Sequence, residues 1–207
     1  MGRSGPRATK RDLIVEEAAR LFYERGTGLG VDTLVDEIGV AKMTLYKHFP
    51  TKADLVVACL RHVDQRYRDR LVDGTREACS PQERILGIFD SLHDWFGTPS
   101  FRGCAFVNAT VELADPAHPA RAAVHEHKAR TREWVAEIVA ETGVADPAFV
   151  ARQIVQLMEG AITTALVEQD PTAALVARAT AGQVLDAAVR PAPGPPAPLP
   201  TNGPDGT

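Results

Sequence analysis

VDTLVDEIGVAKMTLYKHF, at residues 31–49, contains two short helical patterns separated by one glycine. The first pattern has the i, i+3, i+4, i+7 spacing of a half-buried helix, with apolar residues at Val31, Leu34, Val35 and Ile38. Gly39 follows, where a left-handed residue can end a helix at no steric cost to glycine. A second helix is predicted from Lys42, and Pro50 prevents its continuation. Two helices joined by so short a turn indicate a helix-turn-helix, the arrangement that places a helix in the DNA major groove.

The second helix separates into an apolar and a polar side when its residues are placed about 100° apart. Leu45 and Phe49 lie one turn apart and are predicted to face the core. The opposite side and its flanks carry Met43, Thr44, Tyr46 and Lys47. Lysine can bind guanine O6 and N7, and methyl groups can contact thymine, so this side suits base recognition. A small helical hairpin with a solvated face is the alternative interpretation of the same spacing.

The residues GVAK and TLYKHFPTKADLVV, at 39–42 and 44–57, resemble the N-terminal domain of the TetR/AcrR family of transcriptional regulators. The similarity extends back to RDLIVEEAARLFYERG at residues 11–26, and its most specific part is the Tyr-x-His-Phe-x-x-Lys pattern that begins at Tyr46. The resemblance implies an all-α fold with three N-terminal helices, the third of which enters the major groove. It also implies a larger C-terminal helical domain that binds a small molecule and dimerises.

By position, the resemblance implies a DNA-binding set of Thr33, Lys42, Met43, Thr44, Tyr46, Lys47, His48 and Lys52. Within this set, Tyr46, His48 and Lys52 resemble the family's phosphate contacts, and Thr33 is similar to another backbone contact. The residues that resemble the family's DNA-facing set are Lys42, Met43, Thr44, Tyr46 and Lys47. Met43 stands where the family often has glycine, so we expect a different base preference. The implied partner is double-stranded DNA with a palindromic operator, bound by a homodimer and released by a small-molecule effector.

Charge is distributed unevenly along the 207 residues, whose formal net charge is −4. Residues 1–52 contain nine Lys and Arg against seven Asp and Glu, which gives a net charge of +2. The remaining residues contain fourteen against twenty and carry −6. The more basic part therefore coincides with the helix-turn-helix, where it can attract phosphates.

Four segments are expected, and none of them shows the alternation typical of a strand, so we predict an all-α protein. They are a flexible arm at 1–8, a DNA-binding domain at 9–51, a helical ligand-binding and dimerisation domain at 52–190, and a disordered proline-rich tail at 191–207. Thr9 with Asp12, and Thr51 with Asp54, have capping-box spacing and predict helix starts. Further helices are predicted from Pro81, over 102–114, over 120–142 and from Pro147 to about 168. A last helix is predicted after Asp170-Pro171 and ends at about Val189.

Aromatic residues are concentrated between positions 89 and 134 and can line an apolar cavity with a few polar anchors. The predicted ligand-binding set is Phe89, Trp95, Phe96, Phe106, Asn108, Glu112 and Trp134, with ordinary core packing as the alternative for each residue. His118, His125 and His127 have poor metal-ligand spacing because positions 125 and 127 point to different sides of a helix. We therefore predict neither a metal site nor a cofactor.

The last two helical segments carry broad apolar stripes that can pack on a second copy of the chain. The predicted dimerisation set is Ile154, Leu157, Met158, Ala161, Ile162, Ala165 and Leu185. The alternative is that these residues close the core of a single chain, and the family resemblance favours the dimer.

Cys59, Cys79 and Cys104 are widely separated, which argues against a zinc site or a disulfide framework and for the reducing cytoplasm. Each is predicted to be a small buried residue, with thiol redox sensing as the alternative. We expect no signal peptide and no membrane span. Because no phosphate-binding loop, nucleophile elbow or HExxH motif is present, we do not expect an enzyme. The predicted function is a ligand-responsive repressor, and the alternative is an architectural or partner-binding helical protein that binds DNA only non-specifically.

Overall fold

The computed structural model describes residues 9–189, and all regular secondary structure within this range is helical, as predicted. The helices are α1 (Lys10–Arg25), α2 (Val31–Ile38), α3 (Lys42–His48), α4 (Lys52–Gly74), α5 (Pro81–Phe96), α6 (Ala105–Glu112), α7 (Ala120–Ala140), α8 (Pro147–Glu168) and α9 (Ala173–Val189). The predicted arm at 1–8 and tail at 191–207 lie outside the described residues. None of the helices in the described part is long and apolar enough to cross a membrane.

Both predicted capping boxes are present and set the starts of α1 and α4. The Thr9 hydroxyl accepts a hydrogen bond from the Asp12 amide at 3.2 Å, and the Asp12 carboxylate accepts from the Thr9 amide at 3.0 Å. Thr51 and Asp54 make the same reciprocal pair. Each box satisfies backbone donors that a helix start would otherwise leave without partners, so Thr9 and Thr51 define where α1 and α4 begin.

The helix-turn-helix is formed by α2 and α3, which pack with α1 into a three-helix head. Leu34, Leu45 and Phe49 are buried in the core of this head, as the apolar spacing predicts, and Ile14 of α1 joins them. Gly39 ends α2 with φ +71° and ψ +42°, the left-handed conformation predicted for it. Its amide donates to the carbonyl of Asp36, and this turn directs the chain into α3.

Replacing Gly39 by alanine is expected to destabilise the protein by about 1–2 kcal/mol, because an L-residue is strained at this φ. No atom lies within 4 Å of an added Cβ, so the cost comes from the backbone conformation and not from a clash. Gly39→Asn should cost less, since asparagine tolerates this conformation better. Urea unfolding measures the difference. Gly28→Ala is the control, because that glycine also has open space but no positive φ; equal losses at the two positions would contradict the explanation.

The larger domain is built from α4 to α9, and its core is centred on α5, α7 and α8. Ile85, Ile88, Phe89, Ile138 and Ile154 are among its fully buried side chains. The helix predicted over 102–114 is shorter than expected, because α6 begins only at Ala105. Gly103 has φ +77°, which a helix cannot contain, so residues before Ala105 form a turn.

The predicted dimerisation residues require a correction. Six of them are buried within the single chain, namely Ile154, Met158, Ala161, Ile162, Ala165 and Leu185, and only Leu157 is half-buried. Because a side chain that is already covered cannot contact a second molecule, this stripe closes the core of the chain itself. The prediction that all three cysteines are buried is also wrong for Cys79, which is exposed.

Candidate DNA-binding surface and interdomain cavity

The outward side of α3 carries the side chains that the sequence assigned to base recognition. Met43 is 80% exposed, and Tyr46 and Lys47 are also exposed. Thr44 is half-buried, whereas Leu45 is buried and anchors the helix to the head. The helix is therefore held from one side and presents a methyl-rich and cationic side to its surroundings, which is what major-groove recognition requires.

The other predicted DNA contacts surround this helix and differ in their availability. Lys42 is exposed, but its ammonium lies 2.7 Å from a carboxylate oxygen of Asp32 on α2. Thr33, His48 and Lys52 are half-buried. Burial lowers the pKa of Lys52. Lys42 therefore reaches a phosphate or a base only by exchanging its pairing with Asp32, whereas Lys47 forms no ion pair among the described residues.

One cation close to this surface was not predicted from the sequence. The guanidinium of Arg11 on α1 lies 4.9 Å from the ring centroid of Phe49, directly after α3. The contact is a cation–π interaction that ties the end of α3 to α1. No local pattern reveals it, because the two residues are brought together only by the packing of the head.

Two sets of hydrogen bonds join the head to the larger domain. The Tyr23 hydroxyl on α1 donates to the Gly103 carbonyl at 2.9 Å and accepts from the Arg102 amide at 2.7 Å. The Glu112 carboxylate, at the end of α6, accepts from both the amide and the hydroxyl of Thr27, the latter at 2.7 Å. The turn before α6 and the end of α6 are thus both fastened to α1 and the loop that follows it.

A cavity of about 730 Å³ lies between the head and the larger domain. Its walls come from α1, α4, α5, α6, α7 and α8, and from the loop before α6. Trp95, Tyr67, Phe106 and His127 form an aromatic part of the wall, and Glu17, Arg20 and Tyr23 of α1 form another part. The volume is within the usual range for small-molecule sites, which combine apolar walls with a few polar groups.

Most residues of the predicted ligand-binding set do not line this cavity, so the prediction is wrong for them. Trp95 and Phe106 line it, but Phe89, Phe96 and Trp134 do not. Phe89 and Phe96 are buried in the core, and Trp134 is partly buried and packs against the core. Asn108 and Glu112 line a separate pocket of only about 30 Å³. Their polar groups already have partners in the protein, since the Asn108 amide donates to the Arg102 carbonyl and Glu112 accepts from Thr27.

Beside the cavity, the buried carboxylate of Asp64 organises three basic side chains. One oxygen lies 2.8 Å from Nδ1 of His127. The other lies 3.1 Å from the Arg130 guanidinium and 3.2 Å from that of Arg68. Burial lowers the pKa of His127 despite the neighbouring carboxylate, which by itself would raise it. The histidine is therefore a neutral ring at neutral pH, held in one orientation by Asp64.

This arrangement explains why the histidines do not form a metal cluster. His127 is bonded to Asp64, while His125 is exposed on another side of α7 and His118 accepts a hydrogen bond from the Ala120 amide. Within residues 9–189, no group of three or more His, Cys, Asp or Glu side chains is placed to hold a metal ion.

The cavity contains several residues that sequence reasoning did not select, chiefly Tyr23, Tyr67, Arg70, Lys128 and Glu159. Lys128 and Glu159 form an ion pair across α7 and α8 at 2.5 Å. Arg70 lies over the Trp95 ring, 5.2 Å from its centroid. These partners come from separate helices, so their proximity has no signal in local spacing.

Comparison with known proteins agrees with both parts of the fold. Residues 14–59 match the family model described as bacterial regulatory proteins, tetR family, and residues 81–181 match the tetracyclin repressor-like C-terminal domain. The solved structure of a TetR-family transcriptional regulator from Streptomyces coelicolor is 31% identical, with a TM-score of 0.80, covering 87% of this chain and 96% of that one.

Two curated regulators are similar over most of their length. The HTH-type transcriptional regulator YjdC of Escherichia coli (strain K12) is 23% identical over 165 residues, which cover 77% of this chain and 85% of that protein. The HTH-type transcriptional regulator LmrA of Bacillus subtilis (strain 168) is 28% identical over 170 residues, which cover 78% and 89%. Proteins of this family are DNA-binding regulators and not enzymes. The chain therefore belongs to the TetR family of transcriptional regulators.

Proposed function

We propose that this protein is a homodimeric repressor that binds a palindromic operator through α3 and leaves it when a small molecule enters the cavity. The observation that carries this proposal is the shared wall of the cavity, because α1 of the head and α4 to α8 of the larger domain both line it. A molecule bound there would contact both parts at once. It can shift the position of the head only to the extent that it binds one arrangement more tightly than another.

The hydrogen bonds that join the two parts give this control a physical basis. Tyr23 both lines the cavity and bonds the loop before α6, so a ligand that displaces its ring would act on the junction directly. In the dimer, a small rotation of each head changes the distance between the two recognition helices. Since half-sites on DNA lie about one helical turn or a multiple of it apart, such a change would weaken operator binding.

The outward surface of α8 and α9 is the proposed dimer interface, in place of the buried stripe predicted from the sequence. Val167 and Val176 are 74% and 68% exposed, and Leu166 and Leu175 are also exposed. Large apolar side chains at the junction of two packed helices favour association with a second copy. The proposed site of action is the cytoplasm, where the operator DNA lies.

Selection from a random DNA pool, followed by affinity measurements at two salt concentrations, tests the DNA-binding part of the proposal. Enrichment of a palindrome that binds far more tightly than random DNA would support a dimeric, sequence-specific regulator. If the protein shows no sequence preference and its affinity for DNA simply decreases as the salt concentration rises, the architectural alternative is favoured instead. The enriched sequence then serves to test which compounds release the protein.

The Glu112 bridge to Thr27 supplies a prediction about the junction. Glu112→Ala removes the acceptor for two hydrogen bonds to a charged group, so we expect the loop at residues 26–30 to open more often. Hydrogen exchange of the Thr27 amide should accelerate by about tenfold or more, corresponding to a loss of about 1.5–3 kcal/mol.

Glu133→Ala is the matched control, because Glu133 is exposed on α7 and forms no hydrogen bond or ion pair among the described residues. In Glu133→Ala, the amide hydrogen-exchange rates at residues 26–30 should equal those of the unaltered protein. An unchanged rate in Glu112→Ala would show that the bridge does not hold the head.

A further inference from the structure

His127 presents one unused hydrogen-bonding atom to the cavity. The residue is only 3% exposed, and its ring is part of the cavity wall. Nδ1 is directed at Asp64, which does not line the cavity, so the ring meets the cavity through its other edge. That edge carries Nε2, which has no hydrogen-bond partner among the described residues.

The Asp64 carboxylate determines what Nε2 can do. A carboxylate only accepts hydrogen bonds, so the proton of this bond is on Nδ1 of His127, which donates to Asp64. Arg68 and Arg130 hold the carboxylate from its other oxygen. Because burial keeps the ring neutral, Nε2 is left with a lone pair and acts as an acceptor. An acceptor of this kind on the cavity wall gains from a ligand that brings a donor.

The surroundings of Nε2 favour a flat and apolar ligand body. Phe106 stacks on the His127 ring with the centroids 3.6 Å apart, and Tyr67 meets it edge-on at 5.2 Å. Trp95 continues the wall, with its ring 6.3 Å from that of Tyr67. Aromatic walls of this geometry bind planar rings through stacking and edge-to-face contacts.

The charged groups of the cavity are largely neutralised by one another. Lys128 is paired with Glu159, and Arg20 is paired with both Glu17 and Glu24. Arg70 has no carboxylate partner among the described residues, but its guanidinium already lies over Trp95. A neutral ligand therefore meets charges that are mostly paired, with the Arg70 guanidinium placed on the aromatic wall.

We propose that the cavity binds a neutral, flat aromatic molecule with a hydroxyl group, and that this hydroxyl donates a hydrogen bond to Nε2 of His127. This inference rests on the proposed role of the cavity as the effector site and names the class of effector. The bond would orient the ligand between the aromatic wall and α1, where it can contact Tyr23.

The test compares three naphthalene probes by titration calorimetry without DNA. They are 1-naphthol, which has the donor, 1-methoxynaphthalene, which lacks it, and 1-naphthoate, which is anionic. We expect 1-naphthol to bind at least about tenfold more tightly than 1-methoxynaphthalene, because both displace water from Nε2 and only the naphthol replaces the lost hydrogen bond. In His127→Leu the two affinities should agree within about threefold, since no acceptor remains.

Thr131→Val is the matched control, because Thr131 is also buried on α7, one turn from His127, and does not line the cavity. It should keep the preference for 1-naphthol. If His127→Leu does not fold, nitrogen-15 NMR of histidine-labelled native protein provides the same answer. A single acceptor-type Nε2 signal should shift with 1-naphthol and not with 1-methoxynaphthalene.

Equal affinities for 1-naphthol and 1-methoxynaphthalene, no binding of either, or tightest binding of 1-naphthoate would each overturn the inference. A preference that survives His127→Leu would overturn it as well. A different result would contradict the proposed function alone. If 1-naphthol binds as expected but no ligand of the cavity releases operator DNA, the cavity is a binding site but not an effector site.

Discussion

Replacing Asp64 by alanine is expected to destabilise the protein by about 3 kcal/mol, because one buried carboxylate compensates two arginines and accepts a hydrogen bond from the His127 ring. Removing one partner of a buried ionic network typically costs about 3–5 kcal/mol. The lower end applies here because Arg68 and Arg130 are 39% and 46% exposed and regain water when Asp64 is removed. Denaturant unfolding followed by circular dichroism measures the change.

Asp69→Ala provides the control on the same helix. Asp69 is exposed and accepts a hydrogen bond only from Gln65 among the described residues. We expect a change within about 0.5 kcal/mol, as for most exposed positions. Similar losses at positions 64 and 69 would mean that the network around Asp64 contributes little to stability.

Lys47→Ala is expected to weaken binding to the selected operator by about 30-fold or more, and binding to random DNA only a few-fold. A lysine that contacts guanine contributes about 1–3 kcal/mol to base discrimination, and a dimer makes the contact in both half-sites. Lys47 is exposed on α3 and forms no ion pair among the described residues, so its ammonium is available. Fluorescence anisotropy with the two DNAs at one salt concentration measures the ratio.

Lys52→Ala separates base recognition from phosphate binding. Lys52 lies at the start of α4 and not on the outward side of α3, so its removal should weaken binding to both DNAs by a similar factor. The dependence of affinity on salt should also become shallower, by about one unit of slope for each phosphate that the lysine neutralises in the native protein. An equal loss on both DNAs for Lys47→Ala would refute its proposed role in base recognition.

The head could be predicted almost completely because its determinants are local. The capping pairs at Thr9 and Thr51, the turn at Gly39 and the apolar spacing of α2 act within a few residues of one another. Such short-range signals also made the family resemblance specific, and with it the exposed side of α3. The helix predicted over residues 102–114 was too long because it included Gly103, whose backbone is left-handed.

The tertiary structure alone decided what the apolar and aromatic residues of the larger domain do. Helical spacing shows that Ile154 and Met158 share a face, but not whether that face meets the same chain or a second copy, and the packing of α8 buries it within the chain. The position of the cavity also depends on tertiary packing. Tyr23 meets Gly103 across 80 residues and Asp64 meets His127 across 63, and contacts at such separations leave no periodic signal because they depend on how whole helices pack. The sequence by itself therefore determined the class of fold and which helix we propose to face DNA, while helix packing determined where the proposed effector cavity lies.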